Sequence, residues 1–270
     1  MSTENNWLSS NLSDRFKDFN SDFEVKLTPQ KFKYLSFEDA SKEAALKIAN
    51  KNENIFISLS GGLDSEYILV LYHHLKIPVK PIIITFKANE LESSYAFHIC
   101  KKLSITPIVI KITNEDFLYI FKNEIVKKIN GNGLNMVPVI LSSKYAHSNK
   151  GSLITGEHVI YDDHSLPEAS VCEWDLYPET LYPERETYTL LNYTPEIVYS
   201  IVNQFDESEV QEFKSKLYNL NYRPKIKNIF TDKEIKLYRE SRNILSCPKT
   251  THSFGKKDVF LNKLKEWNNV

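Results

Sequence analysis

Short apolar runs alternate, over the first 165 positions, with stretches in which apolar side chains recur every three or four residues. The runs are Asn54-Ile55-Phe56-Ile57-Ser58-Leu59-Ser60, Val79 to Phe86, Thr106 to Ile112 and Ser152 to Gly156. Each is short and rich in β-branched or aromatic residues, which predicts a buried strand. Pro81 falls near the start of its run, where a strand tolerates proline. The helical pattern covers Asp64 to Leu75, Leu91 to Leu103, Asn114 to Ile129 and Pro138 to Tyr145. Ahead of the first strand, Ser36 followed three residues later by Asp39 predicts a helix start. Ala40, Ala44, Leu46, Ile48 and Ala49 carry that helix to about Asn50–Asn52. Strands alternating with helices of about 10–15 residues imply βαβ units. The fold class expected is therefore α/β, Rossmann-like, a mostly parallel sheet with helices on both faces.

The two ends follow a different pattern. Residues 1–30 are polar, with scattered aromatics at Trp7, Phe16, Phe19 and Phe23. They read either as an arm packed on the domain or as an interaction tail. Phe32 to Leu35 suggests a short extended piece. From residue 166 to Pro195, prolines and tyrosines indicate a long irregular connection. Thr194 to Leu217 is helix-like, with Pro195 suited to a first turn. Tyr222 to Arg242 is basic and partly helical, and Val259 to Trp267 forms an amphipathic helix. Three parts result: an arm and helix over 1–50, an α/β domain over 51–165, and a connection with a mainly helical region over 166–270.

Charge and cysteines narrow the function classes. Lys and Arg number 34 against 35 Asp and Glu, for a net charge of −1. No global basic field exists, so nucleic acid is not a favoured partner. Cys100, Cys172 and Cys247 are far apart and form no CxxC pair, which argues against a zinc knuckle or a dithiol centre. The sparse count fits a reducing compartment. The polar N-terminus and the absence of an apolar run of ~18 residues predict a cytoplasmic protein without a membrane span.

The chemistry concentrates at Ser60-Gly61-Gly62-Leu63-Asp64-Ser65, between a strand and a helix start. In open parallel sheets, ligands sit at the carboxyl ends of strands. Two glycines allow the backbone to approach a phosphate closely, and the helix start directs N–H groups and its positive end at an anion. Ser60 and Ser65 add hydroxyls. Asp64 would repel a bare phosphate, so it requires a divalent cation between them, Mg2+ being the natural choice. The loop has no lysine and is neither G-x-x-x-x-G-K-[ST] nor G-x-G-x-x-G.

This segment resembles the PP-loop of the ATP pyrophosphatase superfamily, and most of all its asparagine synthetase-like branch. The likeness spans about residues 40–165. It implies that ATP is split between its α- and β-phosphates to activate a carboxylate as an adenylate, which ammonia or an amine then attacks. Residue by residue, it implies that Ser58, Ser60, Gly61, Gly62, Leu63, Asp64 and Ser65 hold the nucleotide, with Asp64 on magnesium. Ile84-Thr85-Phe86 stands where that family cradles adenosine, partly through backbone groups. Thr155-Gly156-Glu157 resembles the start of a second family motif, here continuing His158-Val159-Ile160-Tyr161-Asp162-Asp163. A glycine is lost and the acids arrive late, so Asp162 and Asp163 are the candidates for a second metal ligand. Glu157 is a candidate general base. Lys225 and Lys227, with Lys144, are candidates for the cation that meets developing phosphate charge.

Departures from the family pattern matter as well. Ser2 follows Met1, and too little chain precedes Ser60 to hold a glutaminase domain. Nitrogen would come from ammonia, an amine substrate or a separate partner. A PP-loop enzyme that modifies tRNA or a nucleobase, using the basic segment Arg223 to Arg242, is an alternative. A nucleotide-binding relative without catalysis is another. A homo-oligomer is compatible with any of these readings.

Overall fold

A computed structural model describes residues 7–17, 21–126, 136–156, 168–177, 184, 186–205, 209–224 and 251–269. The strands, in chain order, are β1 Leu8–Ser10, β2 Val25–Leu27, β3 Ile55–Ser58, β4 Lys80–Thr85, β5 Ile108–Lys111, β6 Ser152–Thr155, β7 Glu168–Cys172, β8 Thr187–Thr189 and β9 Thr251–Lys256. The helices are α1 Leu12–Arg15, α2 Phe37–Lys51, α3 Leu63–His74, α4 Glu90–Lys102, α5 Asn114–Ile120, α6 Met136–Ser148, α7 Pro195–Gln204, α8 Val210–Tyr218 and α9 Lys257–Glu266.

Five strands form one parallel sheet in the order β5-β4-β3-β6-β8, flanked by helices. Apolar side chains from its inner strands fill the centre of the molecule: Ile55, Phe56, Ile57, Ile82, Ile83, Leu153 and Ile154 are all buried. The four strands expected from apolar runs are therefore present, as is the α/β class. Ser36 caps α2 as expected, its Oγ accepting from the Asp39 backbone N–H at 3.1 Å.

Chain order and sheet order reverse between β3 and β6. From β3 the chain runs outward through β4 to β5, then returns to lay β6 on the other side of β3. That reversal opens a crevice at the carboxyl ends of β3 and β6, the switch point at which open α/β sheets place their ligands.

Three expectations are corrected. The stretch 166–195 is not wholly irregular, since β7 pairs antiparallel with β9 and β8 supplies the fifth strand of the central sheet. Thr187-Tyr188-Thr189 has the β-branched and aromatic character of a strand, but three residues are too few to show a period. The helical pattern over 194–217 is two helices. Phe205 leaves α7 to pack edge-on against Phe213, ring centroids 4.9 Å apart, while the Glu209 carboxylate caps α8 by accepting from Glu212 N–H. Phe32 to Leu35 forms no strand; the extended pieces of the N-terminal region are β1 and β2, paired antiparallel.

The described part of residues 1–30 packs on the fold. Trp7 is buried, and its Nε1 donates to the Asn192 carbonyl at 3.1 Å. Arg15 and Glu173 form a buried ion pair, and Tyr177 donates to the same carboxylate.

Candidate functional site

The loop begins where β3 ends. Leu59 N–H still donates to the Ile82 carbonyl at 2.9 Å, after which the chain turns away from the sheet. Gly61 has φ +101°, a conformation L side chains rarely adopt. A Cβ there would lie 2.1 Å from the Glu92 carbonyl oxygen, so the loop is pressed against the first turns of α4. Gly62 differs. Its backbone is extended, and a Cβ would meet only Ser60 Oγ at 3.4 Å. The fold thus demands glycine at 61, whereas at 62 glycine leaves open the approach to the loop.

The serines shape the turn. Ser60 Oγ accepts from Gly62 N–H at 3.2 Å, and Ser65 Oγ donates to the Gly62 carbonyl at 3.1 Å. Gly62 is the N-cap of α3 and provides no side-chain cap, so the helix mouth is left to another acceptor. Across the crevice, a Cβ on Gly156 would come within 3.0 Å of Asp64 Cβ and of Ser65 N. Gly156, chosen by resemblance together with Thr155, thereby meets the loop at the switch point. Thr155 itself is buried and reaches Thr189 of β8.

Asp64, in the first turn of α3, is held from both sides by α8. Lys214 Nζ lies 2.7 Å from Oδ2, and Tyr218 Oη donates to Oδ1 at 2.6 Å. Spacing i, i+4 places both donors on one face of α8. The Tyr218 ring stacks on Tyr67 of α3, centroids 4.7 Å apart, with Phe37 against both rings. Burial first, and then the neighbouring Asp64 charge, push the Tyr218 hydroxyl well above its ordinary pKa, so it remains a proton donor to Asp64. Beyond α8, Arg223 pairs with Glu66, and its guanidinium lies 4.7 Å from the centre of the Tyr95 ring on α4. The segment 209–224 therefore clasps the loop, α3 and α4 together. Nothing in its sequence distinguishes Lys214 from other surface lysines; only the packing of α8 brings it to Asp64.

Lys144 pairs with Glu124. Arg223, the first residue of the basic segment, is engaged by Glu66. Glu157, Asp162, Asp163, Lys225 and Lys227, with His158, lie outside the described residues. At the end of β4, Asn89 Nδ2 donates to the Ile84 carbonyl, the Phe86 N–H donates to Asn89 Oδ1, and the Ile112 N–H donates to the Thr85 carbonyl. Thr85 and Phe86 border a cavity of about 870 Å³ with Ser93, Phe97, Lys111 and Leu118. On α4, Ser93 and Phe97 face this cavity, while Glu92 and Ala96 back the loop.

Glu92 has a carboxyl whose pKa burial pushes up to about 7. The contact with the loop is made by its backbone carbonyl, and its carboxyl, titrating near neutrality, can give or take a proton under working conditions. It also affects stability. The folded pKa lies above the unfolded one, so the full contribution is present below about pH 4.5 and is lost as pH rises to about 7, an upper bound of about 3 kcal/mol. Glu92→Gln should therefore flatten the melting temperature between pH 4.5 and 7. Parallel curves for the two proteins would show that Glu92 is already charged in the native state.

A magnesium ion can be tested against these residues. It usually takes one or two carboxylates and completes its shell with phosphate oxygens and water. Asp64 fits as that carboxylate, provided the Lys214 ammonium gives way on Oδ2. Among the described residues, no cluster of three or more His, Cys, Asp or Glu forms an all-protein metal cage.

A glycine loop thus lies at the switch point of a parallel sheet, backed by an open helix mouth and a carboxylate. Residues 38–148, the segment that carries the loop, match the asparagine synthase family model. Among solved structures, the chain is similar to an NMN synthetase from Francisella tularensis, with 15% identity over 78% of this chain and 94% of that one and a TM-score of 0.39. An NH3-dependent NAD synthetase from Campylobacter jejuni has the same identity and coverages and a TM-score of 0.37. A predicted subunit of tRNA methyltransferase from Methanocaldococcus jannaschii has 15% identity over 75% of this chain and 96% of that one, with a TM-score of 0.37. A search of curated proteins finds no match. Among the described residues, no helix is long and apolar enough to cross a membrane.

Proposed function

We propose that the chain is an ATP-dependent, AMP-forming ligase that activates a carboxylate and transfers it to ammonia or an amine. The observation that carries this reading is the glycine loop with its uncapped helix mouth and Asp64, set against Gly156 at the switch point. No lysine lies within the loop, so the grip on phosphate comes from backbone N–H groups, the helix start and a metal held by Asp64. Bound magnesium would supply charge neutralisation for the departing diphosphate.

In the first step a carboxylate oxygen of the substrate attacks the α-phosphorus. The bond from that phosphorus to the bridging oxygen breaks, and pyrophosphate leaves on the Gly61–Ser65 side. In the second, the amine nitrogen attacks the acyl carbon, AMP departs, and the nitrogen gives up a proton. Glu157 and Glu92 are the candidates to accept it; Glu92 is on α4, whose first turns back the loop, and has a proton affinity suited to neutral pH. Lys214 is the described cation at the loop, in the role for which Lys225 and Lys227 also stand as candidates.

The test is product analysis with ATP, magnesium and a panel of amino acids and small carboxylates, each with ammonia. We expect AMP and pyrophosphate in equal amounts, dependent on the carboxylate. Formation of ADP and phosphate, or failure to bind nucleotide, would remove the ligase reading.

A further inference from the structure

The contact between Lys214 and Asp64 has a consequence for the metal, and it rests on the ligase reading only in naming Asp64 as a metal-binding carboxylate. Lys214 Nζ sits 2.7 Å from Oδ2, where a cation bound to that oxygen would have to be. Its side chain is 11% exposed and that of Asp64 is 22% exposed, so solvent screens the pair little. An ammonium at contact distance from that oxygen repels a divalent ion bound to the same atom, and in so shielded a place the repulsion opposes binding of the metal.

We propose that Lys214 and the metal ion exchange on Oδ2 of Asp64, Lys214 holding the carboxylate until the metal arrives, while Tyr218 keeps Oδ1 throughout and positions the group. The packing supports this division of labour. Tyr218 is fixed by its stack on Tyr67 and by Phe37, and the segment is anchored independently by Arg223 on Glu66 and by Phe213 on Phe205. Lys214 is attached only through a flexible four-carbon stem. Its ammonium can leave Oδ2 without undocking α8. Once displaced, it remains tethered beside the loop as a mobile positive charge facing the phosphates that accompany the metal. Before then, it supplies a counter-charge to a mostly buried carboxylate.

Exchange makes opposite predictions for the two α8 residues. Removing Lys214 takes away the competitor, whereas removing the Tyr218 hydroxyl takes away the positioning donor. The experiment titrates Mn2+ into nucleotide-free protein and follows paramagnetic broadening of the amide signals of residues 61–65. Lys214→Met should bind Mn2+ about tenfold more tightly than the natural protein, in line with the loss of a contacting like charge. Lys214→Arg should bind no more tightly than the natural protein, and Tyr218→Phe should bind more weakly. Unchanged or weaker binding by Lys214→Met would overturn the exchange, as would equal tightening by Tyr218→Phe, which would indicate mere loosening of α8. The natural protein supplies a second readout that needs no variant to fold. Labelling of Lys214 by an amine-reactive reagent, read by mass spectrometry, should rise when Mg2+ is added, and unaltered labelling at saturating Mg2+ would count against the proposal. None of these measurements uses ATP. Failure to bind nucleotide would remove the ligase reading and leave the exchange to be decided on the metal alone.

Discussion

Gly61→Ala should lower the stability of the protein by about 2–5 kcal/mol, and with it the melting temperature by roughly 5–15 °C. Two terms combine. At φ +101° an L side chain is strained wherever it occurs. Here its Cβ would also stand 2.1 Å from a backbone oxygen of Glu92, and backbone at a helix start cannot move aside as a flexible side chain would. The neighbouring variant is the control. Gly62→Ala keeps an ordinary φ of −72° and gains only a contact with Ser60 Oγ at 3.4 Å, so it should melt near the natural protein. Its methyl would, however, stand at the mouth of α3, and ATP affinity should fall. A pair of thermal melts and a nucleotide titration separate the roles. Equal stability of Gly61→Ala and the natural protein would mean that the loop does not press on α4 as described.

Asp64→Asn should reduce AMP formation by about 10²–10³-fold or more, the scale on which a preorganised electrostatic group at the reacting phosphate is felt. Asparagine retains an oxygen for the Tyr218 hydroxyl, so the local geometry survives in part. The charge does not, and two things follow. On the ligase reading a metal ion would lose its carboxylate, and Lys214 loses the counter-charge that it touches at 2.7 Å. Because the pair is mostly but not wholly buried, the stability loss should be about 1–3 kcal/mol, less than for a fully buried pair. Adding Lys214→Met to Asp64→Asn should return much of that stability without restoring activity, the non-additivity expected of groups in contact. Turnover by Asp64→Asn within about threefold of the natural protein would remove Asp64 from the mechanism.

Much of the central architecture was legible because it is written locally. Ile55-Phe56-Ile57 must be buried on both faces to be so uniformly apolar, which is the mark of an inner parallel strand. Ser36 and Asp39 announce the start of α2 within four residues, and the loop announces itself by two glycines between a strand and a helix. Less legible was whatever depends on partners distant in sequence. β8 is three residues long and is a strand only because β6 lies beside it. The break between α7 and α8 follows from Phe205 meeting Phe213, not from a glycine or proline. For the site, Arg223 serves Glu66 on α3, and the cation at the loop among the described residues, Lys214, lies outside the basic segment that drew attention in the sequence.

The sequence by itself determined the strands β3, β4, β5 and β6, the helices between them and the loop Ser60–Ser65, since period, turn chemistry and helix capping act over a few residues. Tertiary structure alone decided that Gly156 faces Asp64, that Glu92 is buried enough to titrate near pH 7, and that Lys214 and Tyr218 close on one carboxylate. The physical reason is range. Propensity and periodicity are properties of neighbouring residues, whereas burial, ion pairing and metal competition depend on which surfaces the fold brings together, and 150 residues separate Asp64 from Lys214.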